Sequence, residues 1–191
     1  MERLRPAVFL DRDGTINIEK GYLYRKEDFI YLEGAVEGLR RLQDMGYLLV
    51  VITNQSGIAR GHYSEGDLKE LTDWMASDLQ EKGVSIAGMY YCPHHPQAII
   101  GKYRKACDCR KPKTGLFYRA AEELRIDFDK SIAVGDKMRD LEICHETRVK
   151  GILLSESDEA NEDVAVCRDW MEIVRYIESM KKEGSNSAPN I

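Results

Sequence analysis

At 191 residues the chain suits one α/β domain with a sizeable core and leaves little room for a second. With 43% hydrophobic and 32% charged residues it has the balance of a soluble globular protein, and no apolar run approaches the length of a membrane span. A formal charge of -5 argues against a general nucleic-acid binder, although 28 Lys and Arg leave room for a local basic pocket.

Met1 to Pro6 holds no apolar leader, so a cytoplasmic monomer is expected. Ala7 to Leu10 then reads as a buried strand that delivers Asp11-Arg-Asp-Gly-Thr15 to the rim of a sheet. Asp11 and Asp13 lie two residues apart and can address one small volume, an arrangement that a divalent cation with oxygen ligands would relieve. An exposed acidic turn after an edge strand is the plainer alternative. Residues 16–32 lack a sustained period and read as a loop or small flap. A helix over 33–45 follows, then a second apolar strand over 47–52 that empties into Thr53-Asn54. Ser64 and Asp67 form a capping box before a helix that Gly83 stops.

A third strand over 86–91 leads to a cysteine and histidine segment, and Arg110-Lys111 precedes a helix over 114–124. Residues 131–136 form a fourth strand ending in Asp136, 137–146 look helical, and 151–154 could be a fifth strand. The acidic stretch 156–163 reads as a solvated loop, 170–180 as an amphipathic helix, and 181–191 as a disordered tail beyond a single domain of 1–180. Alternating strands and helices imply a Rossmann-like open parallel sheet covered on both faces, with ligands beyond the carboxyl ends of its strands. Asp11, Asp13, Thr53 and Asp136 are therefore expected on one rim.

Thr53 and Asn54 offer a hydroxyl and backbone N–H groups to phosphoryl oxygens, or else serve as ordinary turn residues. Arg110-Lys111 can fix a cation near an anion, or form a solvated charge run. Asp136 suits Mg²⁺, and Asp140 could support Lys137 or a metal-bound water from one turn further on. Carboxylates, one cation and an anion cradle suggest phosphoryl transfer to water. Asp11 is then the nucleophile and Asp13 the group that gives and takes the proton, with Lys111 and Mg²⁺ neutralising the phosphoryl oxygens.

Five cysteines are an odd number, and without an export signal they favour metal ligation over disulfides. Cys92, His94, Cys107 and Cys109 make a tetrahedral zinc set that would brace the 92–109 loop, with His95 as a competing imidazole. Four protein ligands leave no open position, so the zinc would be structural. Cys144 and Cys167 sit in apolar settings and read as core residues.

Asp11-Arg-Asp-Gly-Thr15, Thr53-Asn54, Lys111 and Gly135-Asp136 resemble the four motifs of the haloacid-dehalogenase-like phosphatases, over nearly the whole span from Ala7 to Leu154. The resemblance implies an Mg²⁺ site built from the Asp11 carboxylate, the Asp13 backbone carbonyl and Asp136, with Asp140 behind it. The segments 54–61, 90–96 and 107–112 are most similar to members that act on small sugar bisphosphates and use loops in place of a separate cap domain. There Arg110 would meet the second phosphate, Lys137 would line the metal and phosphate side, and a loop with Asn54, Gln55 and Arg60 would help form the pocket. Phosphatases of histidinol phosphate share the first motif and a similar zinc loop. Polynucleotide 3′-phosphatases and a non-catalytic binding protein on the same fold are more distant alternatives. Residues 144–150 depart from the family in being bulky and polar before the last core strand.

Overall fold

The computed structural model describes residues 3–157 and 164–186. Its strands are β1 (Ala7–Leu10), β2 (Leu48–Asn54), β3 (Ile86–Cys92), β4 (Ile132–Gly135), β5 (Lys150–Leu154) and β6 (Val164–Cys167). They form one parallel sheet in the order β3-β2-β1-β4-β5-β6. The helices are α1 (Ala35–Asp44), α2 (Ser56–Arg60), α3 (Glu65–Glu81), α4 (Gly115–Leu124), α5 (Ile143–Glu146) and α6 (Trp170–Asn186).

Both faces of the sheet are covered, which explains why its inner strands are apolar without alternation. Val8, Leu10, Leu49 and Val51 pack with α1, α3 and α6, while Ala7, Phe9, Val50 and Ile52 pack with α4 and Ile143. β1 lies between β2 and β4, so the strand order reverses on either side of it. That is where an open α/β sheet presents its ligand crevice. Leu10 pairs with Val51 and with Val134, and the Asp11 N–H reaches the Val134 carbonyl at 3.0 Å. Asp11, Thr53 and Asp136 thus leave neighbouring strands at the same level.

Trp170, 1% exposed, donates its indole N–H to the Thr15 carbonyl at 2.8 Å and fastens the turn after Asp13 to α6. Gly38 of α1 makes room for it, because a Cβ there would lie 2.5 Å from the indole ring.

Several expectations need correction. The stretch 137–146 is not one helix: a 3-10 turn at Met138–Asp140 precedes the short α5. Asp140 is turned toward β4, where Lys111 and the Lys137 N–H hold it, and this interrupts a continuous helix. α6 continues through Asn186, so 181–186 is helical; 187–191 lies outside the described residues. Of the acidic 156–163 stretch, 158–163 also lies outside them. β6 and the short α2 were not expected. The 92–109 loop has packing of its own, since Ala98 and Tyr103 are buried with Ile58, Ala59, Tyr63 and Leu68. In the atypical 144–150 segment, Cys144 Sγ approaches Gly151, where a Cβ would meet it at 3.1 Å.

Candidate active site and metal cluster

Lys111 organises the rim. Its side chain is almost wholly buried, and its ammonium meets Asp11 Oδ1 at 2.6 Å, Asp140 Oδ1 at 2.8 Å and the Ile52 carbonyl at 2.6 Å. Three acceptors match the three protons of an ammonium and leave it fixed. Burial alone would depress the Lys111 pKa, but Asp11 and Asp140 outweigh it and raise it. Asn54 secures the backbone of the same residue, donating to the Lys111 carbonyl and accepting from its N–H, both at 3.0 Å. Asn54 therefore works at least in part as a brace for Lys111. Asp11 is pushed up to about 7 by burial, with Lys111 pulling the other way and Asp140 and Asp13 adding to the rise.

Asp13 faces a different set of partners. Arg12 grips it with Nε at 3.1 Å and Nη2 at 2.8–2.9 Å, Asn17 donates to Oδ1 at 3.0 Å, and Gln55 donates to Oδ2 at 3.0 Å. Gln55 also donates to Thr53 Oγ1 at 2.9 Å, and its carbonyl accepts from the Tyr63 hydroxyl. Gln55, expected as a substrate ligand, is thus buried and committed at both ends to protein groups. Arg12 was not expected in the site at all, because a charged residue between two aspartates on a period-two run should point to the opposite side.

The Asp11, Asp136 and Asp140 carboxylates offer oxygens within 4.8 Å of one another. Asp136 is raised by burial, with Lys137 opposing at 3.2 Å. Its Oδ1 is buried with no hydrogen-bond partner among the described residues. At Gly14, with φ 87°, a Cβ would lie 2.5 Å from Asp136 Oδ2, so backbone and carboxylate converge closely there. An orphaned oxygen among three crowded carboxylates, with burial pushing Asp11 and Asp136 upward, is what a hard cation with oxygen ligands fits. Asp140 is the least free of the three, since both its oxygens already have partners.

A cavity of about 370 Å³ opens above these groups. Asp11, Asp13, Thr53 and Asp140 line it, and Arg110, Lys137 and Arg139 add positive charge, while Asp136 is not among its lining residues. Arg110 is fixed by a bond from Nη1 to the His94 carbonyl at 3.2 Å. Arg60 is not among the lining residues: its Nη2 lies 3.4 Å from His95 Nε2, outside the cavity wall. Glu19, Tyr22 and Arg139 line the cavity and were missed by sequence reasoning. The flap has no repeat to announce which of its side chains turn inward, and Arg139 lay in a presumed helix.

Cys92, His94, Cys107 and Cys109 present ligand atoms within 4.8 Å of one another. Individual separations run from 3.1 Å for Cys92 and Cys109 to 3.7 Å for Cys92 and His94 Nδ1. His95 lies apart, with Nδ1 accepting from the Gln97 N–H. The four residues form a candidate metal cluster.

The family model described as polynucleotide kinase 3 phosphatase matches residues 7–164. The D-glycero-beta-D-manno-heptose-1,7-bisphosphate 7-phosphatase of Photorhabdus laumondii is 51% identical over 137 residues, covering 72% of this chain and 73% of its own. The protein of that name from Haemophilus ducreyi is 50% identical over 157 residues, covering 82% and 86%. Among solved structures, the D,D-heptose 1,7-bisphosphate phosphatase of B. bronchiseptica, complexed with magnesium and phosphate, has a TM-score of 0.77 at 27% identity, covering 92% of this chain and 99% of its own. On this extent of match, and with the motif residues gathered on one rim, the chain belongs to the D-glycero-D-manno-heptose-1,7-bisphosphate 7-phosphatase family of haloacid-dehalogenase-like enzymes.

Proposed function

We infer that the protein removes the 7-phosphate of D-glycero-β-D-manno-heptose 1,7-bisphosphate, with Mg²⁺, to give heptose 1-phosphate; the β anomer follows the name its relatives carry. The observation that carries this reading is the cavity itself, lined by Asp11, Asp13 and Thr53 together with the cations Arg110, Lys137 and Arg139. Asp11 attacks phosphorus and the bond to the sugar C7 oxygen breaks, leaving an aspartyl phosphate. Asp13 gives a proton to the departing oxygen, then takes one from the water that cleaves the acyl phosphate. Lys111 keeps Asp11 aimed, while Thr53 and the turn after it hold the phosphoryl oxygens. Asp11, the Asp13 carbonyl and Asp136 would hold Mg²⁺, which when bound would supply neutralising charge for the phosphoryl oxygens. The product keeps a phosphate on its anomeric carbon, the form a nucleotidyl-transfer reaction would consume.

Arg110 plays another part, because its planar fork suits the second phosphate, which a lysine could not grip in the same way. Arg110→Ala should lower kcat/KM for the bisphosphate about 100-fold, the equivalent of a lost charged hydrogen-bond pair. A simple monophosphate should lose little. Equal losses on both would remove Arg110 from this role.

The cysteine cluster is proposed to hold one structural zinc, on the strength of its donor set and its lack of an open position. Protein purified without added metal should contain about one zinc per chain. Cys107→Ser should release zinc and raise proteolysis within 92–109. Zinc-free protein with an equally protected loop would contradict the assignment.

A further inference from the structure

The contacts around Asp13 form a clamp to which the chemistry of the proton transfer assigns no role. Among the described residues, the partners of its carboxylate are N–H donors on Arg12, Asn17 and Gln55. Gln55 could present either end of its amide to Asp13, and only one end attracts a carboxylate. Tyr63 makes the choice: its hydroxyl donates to the Gln55 carbonyl, which leaves the amide NH₂ to face Asp13 and Thr53. Burial raises the Tyr63 pKa far above its ordinary value, so the hydroxyl keeps its proton.

The tyrosine is seated without slack, for a Cβ on Gly57 would lie 2.2 Å from its ring. The flap is joined to the same network. Arg12 Nη2 donates to the Leu23 carbonyl at 3.2 Å, and Tyr24 stacks on Tyr63 with ring centroids 5.4 Å apart. A neighbouring stack of Tyr22 on His62, at 4.0 Å, fastens the flap a second time.

We propose that Tyr63, acting through Gln55, and Arg12 are positioning residues that aim Asp13 at the leaving-group oxygen, with the 16–32 flap bracing the clamp. The proposal rests on the reading of Asp13 as proton donor. Removal of the Tyr63 hydroxyl frees the Gln55 amide to rotate, and its carbonyl can then face Asp13 and displace it. Asp11 is untouched, and at Thr53 only the hydroxyl's hydrogen bond to Gln55 changes, so the larger deficit falls on leaving groups that need a proton.

The test compares kcat/KM for a primary alkyl phosphate and for p-nitrophenyl phosphate, whose leaving group departs unprotonated, in Tyr63→Phe, Arg12→Lys and Asp13→Asn. Tyr63→Phe should cost about 10-fold on the alkyl ester and only about 2-fold on the aryl ester, which shares the Thr53 contact but needs no proton. Arg12→Lys, which keeps the charge but loses the fork, should share that selectivity, and Asp13→Asn should exceed both. If Asp13→Asn is selective for the alkyl ester while Tyr63→Phe and Arg12→Lys lower both substrates equally, the positioning role is overturned. If Asp13→Asn itself shows no selectivity, the assignment of Asp13 as proton donor falls, and the proposal with it.

Discussion

Asp11→Asn is expected to reduce turnover by at least about 10⁴-fold, the scale seen when a covalent nucleophile is removed, while leaving the fold intact. Its neighbours cannot stand in for it. Asp13 is held by Arg12, Asn17 and Gln55, and Asp140 by Lys111 and the Lys137 N–H, so neither carboxylate is free to attack phosphorus. The same substitution should raise stability at neutral and alkaline pH. The Asp11 pKa rises from 3.8 to about 7 in the folded protein, so its contribution to stability is complete below 3.8 and lost as pH rises through 7. A neutral asparagine avoids that loss. Melting curves should show Asp11→Asn above the parent at pH 8 and level with it near pH 4. Mg²⁺ should raise the parent's Tm and leave that of the variant nearly unmoved. A variant less stable than the parent across this whole range would contradict the electrostatic account of the rim.

Lys111→Met should damage both stability and activity. The substitution leaves Asp11 and Asp140 buried without their common cation, and a broken buried ion pair costs about 3–5 kcal/mol. Urea unfolding should show most of that loss at pH 8 and much less below pH 5, where Asp11 can take up a proton. Adding Asp140→Asn should recover part of it, since one unpaired charge is then gone; strict additivity of the two substitutions would mean that the pair does not interact. Turnover should be lost in the single variant even at pH values where it is fully folded, because Asp11 is no longer aimed.

The strands that carry the rim were legible because two covered faces demand uniformly apolar runs, and 7–10, 47–52 and 131–134 have no competing period. The cysteine and histidine cluster was legible because Cys92, His94, Cys107 and Cys109 are close in sequence and chemically distinctive. What escaped reading depends on contacts distant in sequence. Val164–Cys167 is too short to announce a strand and becomes one by pairing with β5. Residues 137–146 have helical composition, but Lys111 draws Asp140 inward from far along the chain and breaks the helix. Arg12 carried no signal of its own in the sequence; its place depends on Asp13 and on the flap backbone at Leu23. Gln55 was rightly brought to the cavity, but its partner Tyr63 could not be foreseen from spacing.

Side-by-side kinetics on three phosphate esters distinguish the heptose bisphosphate from its competitors. Purified protein with Mg²⁺ should be assayed for kcat/KM on D-glycero-β-D-manno-heptose 1,7-bisphosphate, histidinol phosphate and a DNA end bearing a 3′-phosphate. The bisphosphate should be preferred by about 100-fold or more, the difference made by a charged fork on the second phosphate. Histidinol phosphate brings a cationic amine toward Arg110, Lys137 and Arg139 and should fare poorly, and a DNA end gains little attraction from a chain of net charge -5. A higher kcat/KM on histidinol phosphate or on the DNA end would contradict the assignment.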